Sequence, residues 1–194
     1  MISCIVRFLQ SRVLKNISFS VRRAFIPISN ATKVGFIFDG NEENSYDCVK
    51  YLESVLKENK VIYKGICLDI IDHKDGEIKH QNDPYVTYLY KKEISKIGVP
   101  DEDIISKFIS EQYDILFDLS FNDSFTLRYL IKSAKTPFII GFDSRRKEYH
   151  DMTFSSPEEK NKDLVEHIKT ATKFLTTIKS ENNRRSLSMK KFLC

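Results

Sequence analysis

Residues 113–142 read YDILFDLSFNDSFTLRYLIKSAKTPFIIGF. An apolar run, a polar elbow, a stretch with helical spacing and a second apolar run make one β-α-β step, which predicts a strand over 113–119, a helix over about 124–134 and a strand over 137–142. The elbow residues Ser120, Asn122 and Asp123 are of the type that caps a following helix. The same alternation continues outward on both sides. KVGFIFDG (33–40) is a β-branched and aromatic strand closed by Asp39-Gly40, and Tyr46, Val49, Tyr51, Leu52, Val55 and Leu56 then recur at helical spacing. KVIYKGICLDII (60–71) reads as a second strand, Asp75-Gly76 as a turn that folds a short hairpin, and Val86–Tyr90 as a short aromatic strand. Pro100 and Asp101 open an acidic helix start, residues 149–155 form an edge strand, and the last helix follows with Pro157 near its first turn. Strands alternating with helices predict a three-layer, Rossmann-like α/β domain with a mainly parallel sheet and a basic N-terminal helical extension.

The chain has 194 residues, 41% of them apolar, enough for one sizeable core. The organisation expected is a basic extension over 1–32, a single domain over 33–179 and a basic tail over 180–194. Charge marks these divisions. Residues 1–33 hold Arg7, Arg12, Lys15, Arg22, Arg23 and Lys33 with no acid, and residues 179–194 hold Lys179, Arg184, Arg185, Lys190 and Lys191 against Glu181 alone. Since the total is +4, the body between them carries −6. An acidic body between basic ends suits contact with RNA, a ribosomal particle or an anionic membrane surface; solvated tails are the plainer reading. No feature specifies DNA. The acid-free, Arg- and Ser-rich first 30 residues also have the composition of an organellar transit peptide. Four scattered cysteines without a C-x-x-C pair, and no run long enough to span a bilayer, point to a reduced, cytoplasmic protein.

In an open parallel sheet, ligands bind beyond the carboxyl ends of the strands where strand order reverses. Three loops qualify: DGNEEN with Asp39 and Asn41, SFNDS with Ser120 and Asn122, and GFDSRRK with Arg145 and Arg146. DGNEEN has one glycine and fills its helix start with acids, so it is neither a dinucleotide fingerprint nor a P-loop; Glu42 and Glu43 are expected to favour the dipole of the helix that follows. FIFDG resembles the first strand of haloacid-dehalogenase-type phosphatases only as far as Asp39-Gly40, because Asn41 stands where those enzymes need their second acid. Asp118, with Asp114 before it in the strand, could pair with Asp39 to hold a hard cation, or these aspartates simply cap and solvate strand ends. The histidines are too dispersed for a metal cluster, Cys48 and Cys67 read as core thiols, and Ser120 lacks the glycines of a nucleophile elbow. No cofactor, metal site or catalytic residue is assigned.

KVGFIFDG, the run from GVPDEDIISKFISEQ through FIIGFDSRRKEYHDM, and the final helix together resemble a family of small α/β proteins from Bacteroidota to which no activity is attached. Its members have a similar basic N-terminal segment and an F-D-L-L-I-N-L-S strand end where this chain has YDILFDLS; the likeness covers roughly residues 1–179. Residues 113–142 are more distantly similar to the N-terminal domain of heptosyltransferase-like glycosyltransferases, which implies a phosphate or nucleotide-sugar type of ligand but would need a second domain. The function expected is non-catalytic binding of RNA, a ribosomal particle or another polyanion through Arg7, Arg12, Lys15, Arg22, Arg23, Arg184, Arg185, Lys190 and Lys191. The alternative is a small-ligand binder or transferase-like enzyme using Asp39, Asn41, Ser120, Asn122, Arg145 and Arg146 in the strand-end crevice.

Overall fold

The computed structural model describes residues 2–17, 22–70, 83–154 and 163–191, with only the backbone given for 2–3 and 179–191. Six strands form one sheet: β1 Lys33–Asp39, β2 Ile62–Asp69, β3 Val86–Tyr90, β4 Ile115–Leu119, β5 Ile139–Gly141 and β6 Met152–Thr153. Their order is β3-β2-β1-β4-β5-β6 and every neighbouring pair is parallel. The α-helices among the described residues are α1 Ile2–Asn16, α2 Ser45–Glu58, α3 Glu102–Ile109, α4 Phe125–Ser133 and α5 Leu164–Lys191. The fold is therefore the expected Rossmann-like α/β sheet.

A strand buried on both faces must be apolar at successive positions rather than alternating with polar ones. β1 meets this with GFIF. Phe36 and Phe38 join Phe117 and Ile140 in a core closed by Leu52 and Leu56 of α2 and by Ile168 and Leu175 of α5. Ile37 belongs to the opposite core, with Leu116, Ile105 and Phe108 of α3, and Leu127 and Ile131 of α4. Gly65 permits close packing within the sheet, since a Cβ there would lie 2.1 Å from the Phe36 ring.

Helix entries follow side-chain chemistry. The Asp101 carboxylate accepts from the Asp103 amide at 3.0 Å ahead of α3, and Asp163 accepts from the Val165 amide at 2.9 Å ahead of α5. α4 is capped by Ser124, whose Oγ accepts from the Leu127 amide at 3.2 Å. The cap expected at Ser120, Asn122 and Asp123 thus falls one residue later, because Ser120 and Asn122 are engaged across the crevice described below and Asp123 pairs with Arg128. The last helix starts at Leu164; Pro157, and the hairpin expected around Asp75-Gly76, lie outside the described residues.

Both basic ends have secondary structure. α1 lies beside α4, with Gln10 Nε2 donating to the Ile97 carbonyl at 2.9 Å and Lys132 Nζ to the Leu14 carbonyl at 2.5 Å. The segment leading to β1 packs into the body: Ile28 is buried, Phe25 meets Phe138 edge-on at 5.2 Å, and the Ala24 amide donates to Pro137 O at 3.1 Å. α5 runs through the expected start of the tail to Lys191.

Candidate functional site

Strand order reverses between β1 and β4, so the crevice beyond their carboxyl ends gathers all three nominated loops. Asp39, at the end of β1, accepts from the Asn41 amide, from Asn41 Nδ2 and from Asn122 Nδ2, each at 2.9 Å. Glu42 does not serve the start of α2. It reaches across the switch point and accepts from Ser120 Oγ at 2.6 Å, from the Phe121 amide at 3.0 Å and from the Asn122 amide. A carboxylate thereby fills the concavity of backbone N–H groups that a ligand anion would otherwise find there. Burial pushes the Glu42 carboxyl above its ordinary value, against the lowering pull of those three hydrogen bonds.

Below the crevice floor lies a buried ionic cluster. Arg146 is 0% exposed and donates Nε to Asp118 Oδ2 at 2.8 Å. Its two terminal nitrogens reach Asp143 Oδ2 at 3.3 Å and the carbonyls of Asn122 and Ser120. His150 Nε2 lies 2.9 Å from the same Asp118 oxygen. The imidazole sits over Gly141, where a Cβ would fall 2.0 Å from the ring, so only glycine admits it. Arg146 therefore faces inward, as the counter-charge of Asp118 and Asp143, and does not line the crevice as expected. Arg145 does reach the surface: its side chain is 56% exposed, paired with Asp143 at 2.8 Å, and its other contact is the Phe121 carbonyl. Burial works to raise the Asp143 carboxyl, but the Arg145 hydrogen bonds and both arginine charges outweigh it and hold it below its usual range.

The nominated side chains are engaged with one another. Ser120 donates to a carboxylate instead of facing a base, and Asp39 is shared between two asparagines. The two aspartates considered as a cation pair are in separate environments: Asp39 is held by Asn41 and Asn122, and Asp118 belongs to the arginine cluster; Asp114 accepts from the Thr32 amide, Thr32 Oγ1 and the Lys33 amide. Among the described residues, no group of three or more His, Cys, Asp or Glu is placed to hold a metal ion. Burial raises the thiol of Cys67 to about 12 and that of Cys48 higher still.

The cations of α1 are placed differently. Arg7, Arg12 and Lys15 are exposed on a helix without an acid, and Arg12 Cζ stands 5.8 Å over the Phe8 ring. Arg7 and Lys15 also line an open cleft of about 780 Å³ between α1 and α4, with Arg128 and Lys132 on the far wall. Arg128 is held there by the Asp123 carboxylate, whose titration its hydrogen bonds lower. Arg22 is exposed, whereas Arg23 pairs with Asp151 at 2.8 Å. Arg184, Arg185, Lys190 and Lys191 lie on the backbone of α5, and their side chains are outside the described residues.

The basic helix, the parallel sheet and the first turns of α5 fall within a single family match, over residues 6–178, to the Family of unknown function (DUF6913). The chain belongs to that family. No curated protein matches it. The DUF6913 match begins inside α1 and so takes in Arg7, Arg12 and Lys15 together with the sheet and the crevice. Sequence reasoning missed Glu42 as an occupant of the crevice and the Asp118-Arg146-His150 cluster; an acid and a base at neighbouring strand ends hinted at the cluster, and no local signal at Glu42.

Proposed function

We propose that this protein is a non-catalytic binding protein that contacts RNA, a ribosomal particle or another polyanion through its basic ends, with α1 as the principal surface. The observation that carries this reading is a contrast. At the strand ends, Asp39, Glu42, Ser120 and Arg146 are bonded to neighbouring groups, while on α1 Arg7, Arg12 and Lys15 are exposed on a helix without an acid. Neutralising phosphates with such cations releases counterions, which supplies sequence-independent affinity. No described helix is long and apolar enough to cross a membrane. The family match takes in α1 from residue 6 onward, together with its cations. Affinity purification from native lysate at low salt tests the reading: polyanion-dependent partners leave on nuclease treatment, and a partner set unchanged by nuclease and by Arg7→Glu/Arg12→Glu/Lys15→Glu contradicts it.

The second reading places a phosphate or nucleotide-sugar type ligand at the crevice mouth, where Arg145 is the exposed cation. Loss of biological function in Arg145→Ala, with melting temperature and expression unchanged, would favour it.

A further inference from the structure

We infer that the outer face of α1 docks on an anionic lipid bilayer, an inference that rests on the reading of α1 as a polyanion contact and names its partner. α1 turns Val6, Gln10, Val13 and Leu14, all half-buried, towards the body. Outward it shows Ile5 at 60%, Phe8 at 61% and Leu9 at 39% exposure, three of the seven large apolar side chains exposed among the described residues. Residues 5, 8, 9 and 12 fall on one helical face, so these three share it with Arg12, and Lys15 lies at its edge beside Phe8, whereas Arg7 turns towards the cleft with α4. The docked helix thus leaves neighbouring apolar side chains exposed on the side turned away from the body, and exposed apolar groups clustered in this way mark a binding surface.

Charge selects among the occupants. In a symmetric contact with a second copy, a helix with three cations and no acid would face its own like charges. Three side chains also fall well short of the roughly 800 Å² per partner of a standard interface. RNA would engage the cations and could stack a base on Phe8, but it offers nothing that covers the aliphatic Ile5 and Leu9. An anionic bilayer satisfies both halves: apolar side chains enter the headgroup and acyl boundary while Arg12 and Lys15 stay with the lipid phosphates. Arg12 is suited to this position, since its stem can cover Phe8 while the guanidinium reaches the interface.

The test uses the full chain and sedimentation with vesicles of phosphatidylcholine alone or of phosphatidylcholine and phosphatidylglycerol in equal parts. The chain is expected to sediment with the anionic vesicles only. Ile5→Gln/Phe8→Gln/Leu9→Gln keeps every charge and a good helix former at each site; it should weaken vesicle binding by about tenfold or more while leaving polyuridylate binding unchanged. The protein has no tryptophan, so Phe8→Trp is a clean reporter whose emission should shift to the blue on adding anionic vesicles. Absence of vesicle binding, equal binding by the glutamine triple variant, or a concentration-dependent dimer lost in that variant would overturn the inference. Vesicle failure with polyuridylate binding intact would remove the lipid and leave the polyanion reading standing; failure of both would remove that reading as well.

Discussion

The guanidinium of Arg146, shared among Asp118, Asp143 and the carbonyls of Ser120 and Asn122, ties the loops after β4 and β5 to one buried point. Removing one partner of a fully buried ion pair strands the other, so Arg146→Ala should destabilise the fold by about 3–5 kcal/mol. Arg146→Lys should recover little of this, because one ammonium cannot reproduce a planar fork of donors. A lowered urea midpoint with an unchanged slope checks both. At Glu42 the expectation concerns pH. The unfolded carboxyl titrates near 4.5 and burial raises it in the fold, so the native state keeps the proton to higher pH. The stability linked to Glu42 is present below pH 4.5 and is lost as pH rises through the raised value. Asp123, held by Arg128, and Asp143, held by Arg145, act in the opposite sense: their contribution is present above 3.8 and is lost as pH falls through their lowered values. Thermal melts across the acid range should show the upper slope flattened in Glu42→Gln and the lower one retained. Neither feature was legible from residue types alone: Arg146 stands beside Arg145 in GFDSRRK, and nothing local tells which of two adjacent arginines turns inward.

At the level of elements, the β4–α4 step separates two serines with different duties. Ser124 caps α4, and Ser124→Ala should cost about 1 kcal/mol. Ser120 instead donates to Glu42, so Ser120→Ala should weaken the link between the β1 and β4 loops, and its cost should shrink markedly in a Glu42→Gln background. A double-mutant cycle by urea unfolding reads this coupling, while Ser124→Ala should add independently of Glu42. The strands and helices themselves were legible because hydrophobic spacing reports burial: GFIF and ILF must be strands buried on both faces, and Ile105 with Phe108 must face a sheet. The ends of the elements were less so. The expected strand over 137–142 has strand geometry only over Ile139–Gly141, and the cap of α4 moved because long-range bonds from Glu42 and Arg146 claim the loop first.

For the molecule as a whole, strand order 3-2-1-4-5-6 brings three loops from distant parts of the sequence to one crevice, and those loops then bond to each other. Their convergence followed from the rule for parallel sheets; their mutual satisfaction did not, since it depends on side-chain directions across 78 to 83 residues of sequence separation. Charge segregation was legible throughout, but the exposure of Ile5, Phe8 and Leu9 needed the docked position of α1. The most direct test of the polyanion reading is the affinity for polyuridylate as a function of salt, for the native chain and for Arg7→Glu/Arg12→Glu/Lys15→Glu. The native protein should lose affinity steeply as salt rises, and the variant's slope of log K against log salt should be shallower by about 2, with much weaker binding at low salt. Equal affinity and equal slope in the two proteins would contradict it.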